Sequence, residues 1–149
     1  IALDGAKSIA ARIVKALGGR GLFGVELMVR GDEVYFSDVT ARPFESGLVT
    51  LRSQRLSQFE LQARAILGLP TDTIMISPGA AEVIYAGLDG NVGGALADAL
   101  RAPESDVRVF GGGEPEARRP LGVAVVTSSD VSSARNHVRQ ASAALRRLW

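Results

Sequence analysis

Two extended runs, residues 22–29 and 33–40, flank Arg30, Gly31 and Asp32, and they constrain this chain more than anything else in it. Both runs are rich in Val, Leu, Phe and Tyr, and the residues between them suit a tight turn, which is the signature of a β-hairpin. The hairpin is unusual in carrying acids inside its strands. Glu26 and Asp38 stand where an ordinary sheet has apolar side chains.

Register decides whether these two carboxylates meet. If Gly31, Asp32 and Glu33 form a three-residue loop, Arg30 lies opposite Val34, Met28 opposite Phe36 and Glu26 opposite Asp38. Both acids then leave the same face, and directly opposed like charges ask for a cation between them. Two carboxylates completed by waters and phosphate oxygens make a magnesium site of the kind used in phosphoryl transfer. A one-residue shift instead sends Asp38 to the other face and leaves Glu26 a solvated strand residue. Spacing alone leaves both registers open.

Pro43 cannot donate to a ladder and Gly47 suits a turn, so the second strand ends by about Ala41. Arg42 and Glu45 follow at the rim of the sheet. A guanidinium there can hold a transferring phosphoryl group and a carboxylate can hold an amine or hydroxyl, although an Arg and a Glu in a loop are also ordinary solvated residues.

The stretch GRGLFGVELMVRGDEVYFSDVTARPFESGLVTLRSQ resembles the metal-binding segment of the ATP-grasp enzymes. Within them it is most similar to the PurT-type, formate-dependent phosphoribosylglycinamide formyltransferases. That family has a Glu within FGVEL and a second acid within FSEV, both ligating magnesium on the ATP phosphates, and these fall on Glu26 and Asp38. Its PRPHDTG motif reads ARPFESG here, so the Asp that contacts the glycinamide substrate falls on Glu45, with a longer arm, and Phe44 replaces a His. An Arg-Arg pair before an LGVA strand, and a Lys after FG, hold the ribotide phosphate in the family. Here Arg118 and Arg119 precede Leu121, Gly122, Val123 and Ala124, but Pro120 intervenes and Gly112 stands in place of the Lys. The resemblance thus implies Mg2+ and ATP, Glu26 and Asp38 as metal ligands, Arg42 in catalysis, and Glu45, Arg118 and Arg119 toward the substrate. It also implies formate and phosphoribosylglycinamide as co-substrates, and allows a homodimer of the full-length enzyme.

The chain has 149 residues, is 46% apolar and carries a formal net charge of +1. That suits one ordinary domain or two small ones with a real core. Near-neutral charge makes no case for nucleic acid or an anionic membrane as partner. With no cysteine there are no disulfides, thiolate nucleophiles or thiolate metal sites, which agrees with a cytoplasmic location. No apolar run reaches membrane-spanning length. The first residue is Ile rather than Met and already reads as helix, so a piece of a longer chain is expected. The upstream half that grips the nucleotide in the family would lie outside it.

Along the chain, Ala6, Ile9, Ala10, Ile13, Val14 and Leu17 recur at helical spacing before Gly18 and Gly19, predicting a cover for the hairpin. Residues 48–51 suit a short helix or buried turn. Ser57 and Glu60 form a capping box and predict a helix that Gly68 ends. Residues 69–73 are the expected boundary, dividing 1–73 from 74–149. Beyond it, strands are expected at 74–77, 81–88, 107–110 and 121–127, with a short helix over 91–100. Gly111, Gly112 and Gly113 lack the Lys-Ser or Lys-Thr of a phosphate loop and suit a plain loop. A last helix begins near Ser129 or Asp130, with Val131, Ala134, Val138, Ala141, Leu145 and Leu148 as its packed side and Arg135 and Arg139 off it. His137, the single histidine, reads as exposed and structural. The fold class is therefore α+β: the C-terminal half of an ATP-grasp domain, antiparallel strands covered by helices, then a small β-rich domain with a terminal helix.

Three functions fit these residues. One is an ATP- and magnesium-dependent formylation of phosphoribosylglycinamide, in which this piece alone is inactive. A second keeps the fold but changes the acceptor, as in a carboxylating ATP-grasp enzyme or another carboxylate-amine ligase. The third is a non-catalytic interaction module.

Overall fold

The computed structural model describes residues 1–85, 92–110 and 120–146. Two compact units make up the chain: residues 1–44 with 58–72, and residues 45–57 with 73–149.

In the first unit, α1 (Ala2–Leu17) lies on the hairpin of β1 (Gly24–Arg30) and β2 (Glu33–Thr40), with Gly5 against Val34. Ala6, Ile9, Ala10, Ile13 and Val14 of α1 are half-buried while Lys7, Arg12 and Lys15 are exposed, as the helical spacing requires; Leu17, at the helix end, stays exposed. The turn is tighter than the sequence suggests. Arg30 pairs with Glu33 rather than Val34, leaving only Gly31 and Asp32 as the loop. Gly31 makes this possible with a φ of 61°, the first central position where a two-residue II′ hairpin turn wants glycine. Helix α3 (Gln58–Leu67) returns to this unit directly after Ser57. Its Gln58 amide donates to the Phe44 carbonyl at 3.0 Å, and the Arg20 guanidinium lies against Gly68 at its far end.

The second unit is built on an antiparallel sheet in the order β3 (Gly79–Ile84), β5 (Gly122–Thr127), β4 (Ser105–Val109). The central strand GVAVVT has no polar alternation because both of its faces are covered. On one face Ala124 and Val126 join Ile84, Val138, Ala141 and Leu145, beneath α4 (Val92–Ala99) and α5 (Val131–Arg146). On the other, Val123 and Val125 pack with Leu48, beneath a 3-10 helix (Glu45–Val49) that runs into α2 (Thr50–Ser53). Residues 45–57, which the sequence groups with the hairpin, therefore pack with the second unit because they supply its second apolar layer.

Residues 74–77 are not a strand. They make one bridge, Met75 to Gln54, with the Arg55 amide donating to the Ile74 carbonyl and the Ile76 amide to the Ser53 carbonyl. This short apolar run joins no ladder among the described residues, and Ile74, Met75 and Ile76 stay exposed. The expected strand over 81–88 is β3, starting two residues earlier, and its later part lies outside the described residues. Helix α5 starts where expected, capped by Asp130, whose carboxylate accepts from the Ser133 amide at 2.9 Å and from the Ser133 hydroxyl at 2.7 Å. His137 is half-buried rather than exposed, and its Nδ1 is buried without a hydrogen-bond partner among the described residues.

Candidate functional site

Glu26 and Asp38 are register partners across β1 and β2. The tight turn alone would not have produced this. Continued without a break from the pair Arg30 and Glu33, the ladder would set Glu26 opposite Ser37, and Asp38 would emerge on the opposite face beside Val25. Between Glu26 and Leu27 the register shifts: Leu27 pairs with Phe36, Glu26 with Asp38, and Ser37 is left over as a bulge in β2. The bulge restores the face. Directly opposed residues have Cβ atoms about 5 Å apart, which suits joint ligation of one small cation by the two carboxylates.

Both carboxylates are exposed at the surface of the hairpin. Among the described residues no group of three or more His, Cys, Asp and Glu side chains forms a cluster that could hold a metal by itself. The pair therefore fits magnesium in the way that ion is usually bound, through one or two carboxylates with other oxygens supplied by phosphate and water.

Arg42 and Phe44 lie in the same unit. The Arg42 guanidinium carbon sits 5.8 Å from the centre of the Phe44 ring, within cation–π range. The ring in turn lies on Gly24, where a Cβ atom would come within 3.0 Å of a ring carbon. Gly24 thus clears the place for Phe44, and Phe44 gives the exposed Arg42 side chain a platform. The sequence identified Arg42 but offered no sign of this seat.

Glu45 belongs to the second unit, at the start of the 3-10 helix. Its Oε2 accepts a hydrogen bond from the Tyr85 hydroxyl, just past the end of β3. That bond to a carboxylate, together with slight burial and the carboxylate's charge, pushes the Tyr85 phenol above its usual value of 10.0. Glu45 also lines a groove of about 430 Å³ with Ser46, Glu82, Arg135 and Arg139. Glu82 is already engaged: the Ser142 hydroxyl donates to it at 2.7 Å and Arg146 pairs with it. Arg135 and Arg139, one helical turn apart on α5, bring positive charge to the groove. Their spacing off the packed stripe was visible in the sequence; that they share a groove with Glu45 was not.

Arg118 and Arg119, the expected phosphate clamp, lie outside the described residues, as do Gly111, Gly112 and Gly113. The structure thus brings Glu26 to Asp38, Arg42 to Phe44, and Glu45 to Tyr85.

Two family models match successive parts of the chain. Residues 2–59 match the family model of the ATP-grasp domain, and residues 79–145 match that of PurT, C-terminal. A formate-dependent phosphoribosylglycinamide formyltransferase from Rhodococcus jostii is 55% identical over 143 residues, which are 95% of this chain and 36% of that protein. The solved glycinamide-RNase-transformylase T from Mycobacterium tuberculosis is 61% identical, with a TM-score of 0.83 over 96% of this chain and 38% of its own. An N5-carboxyaminoimidazole synthase from Aspergillus clavatus, solved with ADP and 5-aminoimidazole ribonucleotide, gives a TM-score of 0.83 at 27% identity, over 97% of this chain and 40% of its own. The chain spans about 36% of the length of the curated relatives it matches. With one family's model over its hairpin and the other's over its three-stranded sheet, the chain belongs to the PurT-type ATP-grasp enzymes.

Proposed function

We propose that this chain is the C-terminal part of a cytoplasmic enzyme that uses ATP and magnesium to formylate phosphoribosylglycinamide with formate, through a formyl phosphate intermediate, in purine biosynthesis. The observation that carries the proposal is the pairing of Glu26 with Asp38 on one face of a hairpin. In functional terms residues 1–73 are the ATP-grasp half and 74–149 the small C-terminal domain, and the full-length enzyme is a homodimer.

Each residue then has a task. Glu26 and Asp38 hold the magnesium ion that arrives with the nucleotide. When bound, that ion neutralises phosphate charge and so lowers the barrier to attack at the γ-phosphate. Arg42, steadied over Phe44, presents its guanidinium to the transferred phosphoryl group. Glu45 accepts a hydrogen bond from the amine of the second substrate, and Arg118 with Arg119 hold its phosphate. Holding amine and acyl donor together contributes several kcal/mol where the geometry is right.

The likeness to the Aspergillus clavatus synthase supports a second reading, in which the same fold carboxylates an aminoimidazole ribotide. A product assay on the full-length protein with ATP, supplying formate and phosphoribosylglycinamide or bicarbonate and aminoimidazole ribotide, separates the two. Formylated glycinamide ribotide is the expected product. Carboxylated product with no formylation would overturn the first reading.

A further inference from the structure

We infer that Tyr85 is a positioning residue for Glu45, fixing one oxygen of its carboxylate so that the other is presented to an amine-bearing ligand in the groove beside α5. Glu45 is exposed at the start of a short 3-10 helix and lines that groove. A glutamate in such a place has three side-chain torsions to order before it can hold anything, which costs conformational entropy. The Tyr85 hydroxyl meets that requirement in advance by donating to Oε2. Tyr85 itself is held by the residue before it: Ile84 is 2% exposed in the apolar core, and the Ile84 carbonyl accepts from the Leu121 amide at 2.7 Å. The phenol is thus mounted on the end of a core strand.

One oxygen occupied leaves Oε1 to accept from a ligand. A carboxylate oxygen accepts from an N–H or O–H donor, and the amine of the substrate proposed for Glu45 is such a donor. Arg135 and Arg139 line the same groove and favour a ligand that also carries an anionic group. The Tyr85 hydroxyl acts through the Glu45 carboxylate and takes no part in bond making.

The inference rests on the role proposed for Glu45, and its test keeps the two apart. The chain has two tyrosines, and Tyr35 serves as a control because its hydroxyl donates to a different carboxylate, that of Glu33, at 2.8 Å. In the 149-residue chain labelled with 13C at the tyrosine ring carbon bearing oxygen, Glu45→Gln should lower the Tyr85 titration toward the ordinary value and leave Tyr35 unmoved. In the full-length protein, Tyr85→Phe should raise KM for phosphoribosylglycinamide by about tenfold, the loss of one hydrogen bond to a charged group, with kcat within about twofold. On a Glu45→Asp background, whose shorter arm does not reach the phenol, Tyr85→Phe should add less than about twofold. An unmoved Tyr85 titration in Glu45→Gln overturns the contact. An unchanged KM in Tyr85→Phe, with a raised KM in Glu45→Ala, overturns the positioning role and leaves Glu45 its function. An unchanged KM in Glu45→Ala removes both.

Discussion

Glu26 and Asp38 face each other because Ser37 is left unpaired between Phe36 and Asp38, so that a two-residue turn and a bulge together produce the register that a three-residue turn would have given directly. Each device alone would put the two acids on opposite faces.

Opposed like charges cost stability when no cation is present. Glu26→Gln and Asp38→Asn should therefore each stabilise the isolated chain, by about 0.5 kcal/mol in denaturant titrations. The same changes in the full-length protein should lower kcat by about a hundredfold, the scale of losing one ligand to a catalytic cation. Stabilisation without loss of activity would mean that the pair does not hold the metal.

The isolated chain should bind magnesium weakly, because two carboxylates leave most of the coordination shell to phosphate and water. Titration calorimetry of the 149-residue chain with magnesium chloride is expected to give little or no heat, and phosphate-release assays no ATP turnover. Tight binding without nucleotide would be the contrary result.

Gly24→Ala should destabilise the chain by about 1 kcal/mol, because the new methyl group crowds the Phe44 side chain at 3.0–3.1 Å. If the clash is the cause, adding Phe44→Ala should make the two changes markedly less than additive in thermal denaturation. Full additivity would show that the ring and the glycine act separately.

Asp130 sits below its ordinary value of 3.8, chiefly because the Ser133 amide and hydroxyl donate to its ionised form. A carboxylate depressed in the folded state stabilises the fold above its unfolded value, and that contribution disappears as pH falls through the folded value. Melting temperatures of the parent chain and Asp130→Ala should therefore differ at neutral pH and converge below about pH 3.8, the unfolded value. A constant gap across that range would exclude the capping carboxylate as its source.

Leu48 covers the sheet face formed by Val123 and Val125. Leu48→Ala should cost about 2–4 kcal/mol, measured by chemical denaturation. A smaller loss, with the strand amides still protected from hydrogen exchange, would show that this face tolerates thinner cover.

Local patterns made α1, α4 and α5 legible in the sequence, because apolar spacing and end residues fix a helix without reference to anything distant. The same holds for the hairpin and the apolar run of β5. Residues 74–77 misled because a short apolar run suits a strand and says nothing about a neighbour to pair with. Residues 45–57 were grouped by their place in the chain, although Leu48 belongs to a face built from residues 123 and 125. The acids at 26 and 38 could be paired from the motif, but the route through Ser37 could not, since a bulge carries no compositional mark here. Tyr85 was invisible for a related reason: it sits inside the run expected as a strand, and only the folded chain brings its hydroxyl to a glutamate 40 positions away.

The polypeptide passes from one unit to the other three times, after residues 44, 57 and 72. A protease that nicks only the connection near residue 72 would leave two pieces still interlocked, since the earlier one carries a layer of the later one's interior. A recombinant piece beginning at residue 74 would start life with Val123 and Val125 uncovered and would be expected to aggregate, whereas one beginning at residue 45 would retain Leu48.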